Sequence, residues 1–111
     1  MLSVTLRNLA VRLVVAVALS FCQNPGGAHA EEMTVKIDNF TFEPALLTVK
    51  VGTTVTWKNR DDIPHTVVCA GKFRSKTMDT DGTFSFTFTA PGEYKYFCSL
   101  HPHMTGTIKV E

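Results

Sequence analysis

The stretch from residue 83 to residue 104, TFSFTFTAPGEYKYFCSLHPHM, contains two β-strand patterns joined by a turn. In its first part every second residue is aromatic: Phe84, Phe86 and Phe88. Such a two-residue period is typical of a strand with one face in a core. Residues 90–92, Ala-Pro-Gly, suit a turn. The period then resumes at Tyr94, Tyr96 and Cys98. This stretch therefore predicts two consecutive strands, the second ending in a run rich in Cys, His and Met.

The same period continues through most of the chain outside this stretch. Apolar residues alternate with polar ones in four further segments: 33–37, 47–51, 55–57 and 108–110. We interpret residues 47–57 as a hairpin with its turn at Gly52-Thr53. No segment after residue 30 has apolar residues at helical spacing over three turns. The pattern predicts an all-β fold, an antiparallel β-sandwich or barrel. Residues 70–83 lack the alternation and are expected to form a loop that crosses between the sheets.

Length and composition limit the chain to one folded domain. It has 111 residues, of which 44% are hydrophobic and 19% charged, so it has enough apolar side chain for a core. The formal net charge is +1, and without Arg7 and Arg12 there remain nine basic against ten acidic residues, or −1. A nearly neutral domain has no electrostatic footprint for nucleic acid. We therefore expect no nucleic-acid partner.

Residues 1–30 have the features of a cleaved signal peptide. The segment has two arginines and no acid, residues 13–21 are apolar, and residues 28–30 are Ala-His-Ala, which suits a signal peptidase. The nine-residue apolar stretch is about half of the roughly 20 residues that span a bilayer. A retained anchor and a lipoprotein modified at Cys22 are the alternatives. We expect export to the periplasm by general secretion and a mature domain of residues 31–111.

Cleavage after residue 30 would leave two cysteines, Cys69 and Cys98. In an oxidising compartment two cysteines often form one disulfide, and a metal-free interaction module with that disulfide is one hypothesis. Cys69, however, follows Val67-Val68 on an apolar strand, where a buried thiol behaves as a small hydrophobe. A disulfide would also leave the donor residues near Cys98 without a role. We therefore favour two free thiols.

The most informative constellation consists of four donor side chains: His65, Cys98, His101 and Met104. Three of them lie within seven residues at the end of a predicted strand. Imidazole suits Cu(II), and thiolate and thioether suit Cu(I). Two His with one Cys and a distant Met form the ligand set of a blue-copper electron-transfer site. Zinc would accept the Cys and both His but has little use for Met. These donors predict one bound copper ion.

The positions of the donors favour an electron carrier over an enzyme. Cys98 ends a strand, which fixes the direction of its side chain, and Pro102 stiffens the loop that follows. A site held by rigid strand ends keeps one geometry in both oxidation states, which lowers the reorganisation that accompanies electron transfer. Four protein ligands also leave no open position for a substrate.

Several motifs accompany these donors. They are Glu43-Pro44, the Leu-x-Val-x-Val-Gly-x-x-Val-x-Trp pattern of residues 47–57, Pro64-His65, the Gly-x-Tyr-x-Tyr-x-Cys pattern of residues 92–98 and the loop Cys-x-x-His-Pro-x-Met. Together they resemble the cupredoxins, and among them most nearly the amicyanins, whose loop has the same two residues between His and Met. The resemblance extends from Phe42 to Glu111, and it implies a Greek-key β-sandwich.

The resemblance also implies roles for individual residues. The equatorial ligands would be His65, Cys98 and His101. The weak axial ligand would be Met104. Electrons would pass through the edge of His101, inside an apolar patch whose candidate members are Pro64, Leu100, Pro102 and Met78. Amicyanins carry electrons from a periplasmic dehydrogenase, methylamine dehydrogenase, to a c-type cytochrome. We expect a monomeric carrier with redox partners of this kind and no membrane association in the mature form.

Three residues depart from the family pattern. Thr66 stands where many cupredoxins have Asn, so its side-chain link to the ligand loop could be shorter or absent. His103 replaces a residue that is commonly apolar in amicyanins and could compete with His101 for the metal, and Cys69 stands where an apolar residue is expected. The extra imidazole supports a second hypothesis, a periplasmic protein of the same fold that binds and delivers copper.

Two clusters of charge lie outside these motifs. We interpret Asp61-Asp62 as solvated loop charges, and the basic run Lys72, Arg74 and Lys76 in the same way. A basic loop beside the metal could also steer an acidic partner.

Overall fold

The computed structural model describes residues 31–111 and contains nine β-strands in that part of the chain. The predicted signal peptide, residues 1–30, lies outside the described residues. The strands are β1 Glu32–Asp38, β2 Thr41–Glu43, β3 Leu46–Val49, β4 Thr54–Asn59, β5 Val68–Cys69, β6 Phe73–Arg74, β7 Thr83–Thr87, β8 Gly92–Phe97 and β9 Thr105–Val110. No helix within residues 31–111 has the length and hydropathy needed to cross a membrane. The predicted all-β class is confirmed.

The strands form two sheets that pack face to face. The first sheet has the order β2-β1-β4-β7, and the second has the order β3-β9-β8-β5-β6. Each sheet contains one parallel pair, β1 with β4 and β3 with β9, and the remaining pairs are antiparallel. The predicted sandwich is confirmed, but the sheets are mixed where the sequence predicted antiparallel pairing throughout.

The hairpin predicted for residues 47–57 is wrong. Strand β3 pairs with β9 in the second sheet, whereas β4 lies between β1 and β7 in the first. At the junction Gly52 has a φ of 95°, a conformation that suits glycine, and its N–H donates to the Phe88 carbonyl at 2.7 Å. The chain therefore passes from one sheet to the other at this turn. Alternation identifies the buried face of a strand, but it does not say which strand lies beside it.

The segment of residues 70–83 crosses between the sheets, as predicted, although it is more ordered than a plain loop. Residues 73–74 form the short strand β6 against β5, and Met78 forms an isolated bridge with His65. The Phe73 ring lies 4.5 Å from that of Phe86, measured between centroids. This contact packs the edge of the second sheet against the first.

The core between the sheets is aromatic and β-branched. Its largest fully buried side chains include Trp57, Tyr96, Phe88, Ile37 and Ile108. Of the three alternating phenylalanines only Phe88 is fully buried, because Phe84 and Phe86 lie on the edge strand β7 and are partly exposed.

Gly106 provides the clearest test of this packing. It lies directly opposite Tyr96 across β8 and β9, and a Cβ atom added at Gly106 would collide with the Tyr96 ring. Gly106→Ala should therefore lower the free energy of unfolding by about 1–3 kcal/mol, as overpacking does in cores. Thr105→Ala, an exposed change on the same strand, should stay within about 0.5 kcal/mol. Chemical denaturation of the metal-free proteins measures the free energy of unfolding of both variants. Equal free energies of unfolding for Gly106→Ala and Thr105→Ala would contradict the packing described here.

Candidate metal centre

Three predicted ligands converge at one end of the sandwich: His65, Cys98 and His101. Their ligand atoms all lie within 4.8 Å of one another. Cys98 follows the last residue of β8, so the second sheet sets its direction. His65 comes from the segment between β4 and β5, where backbone hydrogen bonds in both directions with Met78, at 2.9 and 3.2 Å, hold it. Two places 33 residues apart in sequence thus supply one cluster.

The spacing of the donor atoms suits a shared metal ion. The Cys98 Sγ lies 3.8 Å from His65 Nδ1 and 3.7 Å from His101 Nδ1. A sulfur about 2.3 Å and a nitrogen about 2.0–2.1 Å from one ion, at tetrahedral to trigonal angles, are about 3.6–3.8 Å apart. The three side chains therefore fit a small thiophilic metal ion without rearrangement.

The ligand loop closes on itself through its backbone. The His101 N–H donates to the Cys98 carbonyl at 3.2 Å, the Met104 N–H donates to the His101 carbonyl at 2.9 Å, and the Cys98 N–H donates to the Met104 carbonyl at 3.1 Å. These bonds hold a compact turn in which His101 is half-buried and Met104 is buried. The loop thus holds the backbone of two predicted ligands, His101 and Met104, in one turn. The role of Met104 as the axial ligand stays a prediction.

Asp61 orients the buried imidazole of His65. The Asp61 Oδ2 lies 2.8 Å from His65 Nε2, and because an ionised carboxylate only accepts, Nε2 carries the hydrogen. Nδ1 is then the nitrogen that faces Cys98 and can bind a metal. Carboxylates on the far nitrogen of a ligand histidine are typical of metal sites. The prediction that Asp61 is a solvated loop charge is wrong, because its side chain is only 12% exposed and contacts His65.

The hydrogen bonds of Asp61 also affect its ionisation. Burial acts to raise the pKa of the carboxyl, but the backbone N–H groups of Phe40 and Asn39 and the His65 imidazole together hold that pKa below its usual value. The carboxylate is therefore charged at neutral pH, as its role as a hydrogen-bond acceptor requires.

Asn59 holds the loop that carries Asp61. Its side chain is fully buried, and its Nδ2 donates to the carbonyls of Ile63 and Met78, both at 2.9 Å. Its Oδ1 accepts the Asp61 N–H at 2.9 Å. Asn59 therefore supports the segment that leads to His65, a role that the sequence did not predict.

Thr66 links the segment of the first ligand to the loop of the others. Its N–H donates to Cys98 Sγ at 3.3 Å. Its Oγ1 accepts the Ser99 N–H at 2.8 Å and lies 2.8 Å from the Ser99 hydroxyl. The side-chain link that the replacement of Asn put in question is therefore present, made by a hydroxyl.

The two cysteines within residues 31–111 have different environments. Both are buried and they are not bonded to each other, which contradicts the alternative of a Cys69–Cys98 disulfide. Burial raises the pKa of Cys69. Burial acts in the same direction on Cys98, but the hydrogen bond from the Thr66 N–H, together with the polar contacts of the sulfur with the His65 and His101 imidazoles and the Thr66 hydroxyl, outweighs burial and lowers the pKa of Cys98 to about 6. Cys98 is thus a thiolate at neutral pH, the form that binds metal.

Three apolar residues next to His65 or His101 in sequence are exposed. They are Pro64, Leu100 and Pro102, with Leu100 at 50%, and their grouping into one surface around His101 stays a prediction. Met78 is only 5% exposed, so its predicted place in the surface patch is wrong; its bridge to His65 turns it inward. The exposed residues Phe40 and Ile63 lie in segments bound to Asp61 and Asn59, and the sequence analysis did not include them. His103 is exposed and outside the donor cluster found among the described residues.

Residues 10–110 match the family of cupredoxin-like domains. This chain belongs to the cupredoxins. Its relatives include the amicyanin of Paracoccus versutus, 35% identical over 74% of this cupredoxin and 67% of that protein. The amicyanin of Paracoccus denitrificans is 40% identical over 71% of this chain and 65% of its own length. The plastocyanin of Nostoc punctiforme is 33% identical over 100% of this chain and 98% of its own length.

Solved structures agree with this membership. An amicyanin variant in the Cu(I) state superposes on the cupredoxin with a TM-score of 0.70 and 36% identity, covering 72% of this chain and 82% of that one. A reduced amicyanin variant gives a TM-score of 0.67 at 40% identity over the same shares. The two mixed sheets described above are therefore the fold of the family.

We predict that Cys98 ionises near pH 6 in the metal-free protein. The ultraviolet absorbance of the thiolate, taken as the difference between the wild type and Cys98→Ser, should be half-developed at about pH 6. Above this pH a metal displaces no proton from the thiol. Below this pH the metal must displace the thiol proton, so the apparent metal affinity should fall about tenfold for each pH unit. A midpoint near the ordinary thiol value of 9.0 would contradict the hydrogen bonds assigned to the sulfur.

We predict that Asp61→Asn weakens metal binding. The amide keeps the volume of the side chain but loses the charge and one acceptor oxygen, so His65 loses the partner that fixes its orientation. Copper affinity, measured by competition with a chelator, should fall about 10–100-fold. Asp62→Asn neutralises the exposed neighbouring residue and is the matched control, with affinity near that of the wild type. Equal losses in the two variants would show that only net charge matters.

Proposed function

We propose that this cupredoxin is an exported one-electron carrier that binds one copper ion through His65, Cys98, His101 and Met104. The observation that carries the proposal is the convergence of two imidazole nitrogens and one thiolate sulfur within 4.8 Å. Copper bound there would supply the Cu(I)/Cu(II) couple. Two His and one Cys with a weak Met ligand suit both oxidation states.

The rigidity of the cage supports electron transfer rather than catalysis. Cys98 is held by β8 and by the Thr66 N–H, His65 by Asp61 and the bridge to Met78, and His101 by the closed turn of its own loop. Each ligand therefore has a fixed place before any metal arrives. A preformed cage limits rearrangement when the charge of the ion changes. With four ligand places filled by side chains, substrate has no position to occupy, and we propose no enzymatic reaction.

The difference in exposure between the two histidines defines the proposed electron route. His65 is fully buried, whereas His101 is half-buried and has exposed apolar residues, Leu100 and Pro102, on both sides in sequence. We place the contact with redox partners at this surface, which includes Leu100, Pro64 and Pro102. Removing apolar surface from water would favour a short-lived complex, and the basic run Lys72, Arg74 and Lys76 would steer an acidic partner.

The similarity to amicyanins supports a periplasmic location and a particular pair of partners. The proposed donor is a dehydrogenase, in the amicyanin case methylamine dehydrogenase, and the proposed acceptor is a c-type cytochrome. The predicted signal peptide of residues 1–30 is consistent with this location.

Adding Cu(II) to the metal-free protein should produce an intense visible absorption from thiolate-to-copper charge transfer. Electron paramagnetic resonance should show a narrow copper hyperfine splitting, because the unpaired electron is shared with the sulfur. Cys98→Ser should abolish the colour while circular dichroism shows an intact fold. Cys69→Ser removes the other buried thiol and should keep the colour.

A colourless Cu(II) complex of the folded protein would contradict the proposal. Rapid loss of copper to a moderate chelator from a coloured protein would instead favour the copper-delivery hypothesis, since a carrier retains its metal between electron-transfer events.

A further inference from the structure

The turn between β1 and β2 has an unusual backbone. Its two central residues, Asn39 and Phe40, both have positive φ, at 52° and 59°. This is the signature of the type I′ hairpin turn, whose second position strongly prefers glycine. A bulky side chain in the left-handed region is strained. Such strain persists only where the surroundings enforce it, and it is concentrated at functional sites.

Asp61 enforces this conformation. Its Oδ1 accepts the Asn39 N–H at 2.6 Å and its Oδ2 accepts the Phe40 N–H at 3.0 Å. The same Oδ2 accepts the His65 Nε2–H at 2.8 Å. One carboxylate therefore ties the tip of this hairpin to the buried ligand, although the two segments are more than 20 residues apart in sequence.

The result is that the Phe40 ring lies against both ligand histidines. Its centroid is 5.5 Å from that of His65 and 5.1 Å from that of His101, and the planes cross at 88° and 86°. Both contacts have the edge-to-face geometry that aromatic rings prefer. The two imidazoles are themselves 5.0 Å apart. A ring that is itself 42% exposed thus contacts both imidazoles.

We propose that Phe40 is a positioning residue of the metal centre, a strained cover that holds His65 and His101 in place and keeps water from their metal-binding nitrogens. The inference rests on the proposed copper site. A copper-ligand bond is lost when an imidazole turns away and water or a competing ligand takes its place. The Phe40 ring opposes both movements, so it should slow metal release more than it changes the ligand set.

The main experiment compares copper release to excess chelator from the wild type, Phe40→Ala and Phe40→Gly. Both variants should release copper about tenfold faster or more, the range found when the support of a metal ligand is removed. Phe40→Leu keeps an apolar side chain without a ring. Its rate of copper release should lie between that of the wild type and those of Phe40→Ala and Phe40→Gly. Leu46→Ala removes another exposed apolar side chain, on β3 and 63% exposed, and should release copper at the wild-type rate.

Thermal unfolding of the metal-free variants separates this role from a structural one. Glycine relieves the strain of a positive φ, so Phe40→Gly should melt at or above Phe40→Ala while it loses copper equally fast. In the metal-free protein the imidazole C–H resonances of His65 and His101 should also move when the Phe40 ring current is removed.

Two outcomes would overturn the inference. If Phe40→Ala releases copper at the wild-type rate, the ring does not protect the ligands. If Phe40→Gly retains copper as well as the wild type, only the turn matters. A wild-type protein without the thiolate-to-copper absorption would overturn the proposed function itself, so the two failures are distinguishable.

Discussion

The hydrogen bond from the Thr66 N–H to the Cys98 sulfur, 3.3 Å long, is the contact on which the rest of the site depends. It joins the segment of His65 to the end of β8, so that ligands distant in sequence share one place. The neighbouring bond from the Ser99 N–H to the Thr66 hydroxyl, at 2.8 Å, fixes the register of the two segments. Because the Thr66 N–H also stabilises negative charge on the sulfur, the fold and the chemistry of the centre have a common cause.

Asp61 extends this connection to a third segment. Its carboxylate binds the ligand His65 and both amides of the turn at residues 39–40, while the buried Asn59 holds Asp61 itself. The candidate metal centre is therefore built from three loops at one end of the sandwich, each attached to a different pair of strands. None of these loops has a large core of its own, so shared hydrogen bonds with buried partners determine their geometry.

The sequence predicted the local features of this structure but not the contacts between distant segments. Alternating apolar residues identified the strands and their buried faces, and the donor residue types identified His65, Cys98 and His101, because both signals are local. Strand partners are not local, which is why the segment 47–57 looked like a hairpin although its halves lie in different sheets. The roles of Asp61 and Phe40 depend on contacts across more than 20 residues, and an exposed-looking aspartate or phenylalanine carries no sign of them. Met78 was misassigned to the surface because its burial comes from its bridge to His65.

The central claim is that one ion takes its ligands from two distant parts of the chain. X-ray absorption spectroscopy at the copper edge of the loaded protein tests it directly. The account predicts one sulfur and two imidazole nitrogens as the nearest neighbours of copper, with the sulfur signal lost in Cys98→Ser. A copper surrounded only by nitrogen and oxygen in the folded wild-type protein would contradict it.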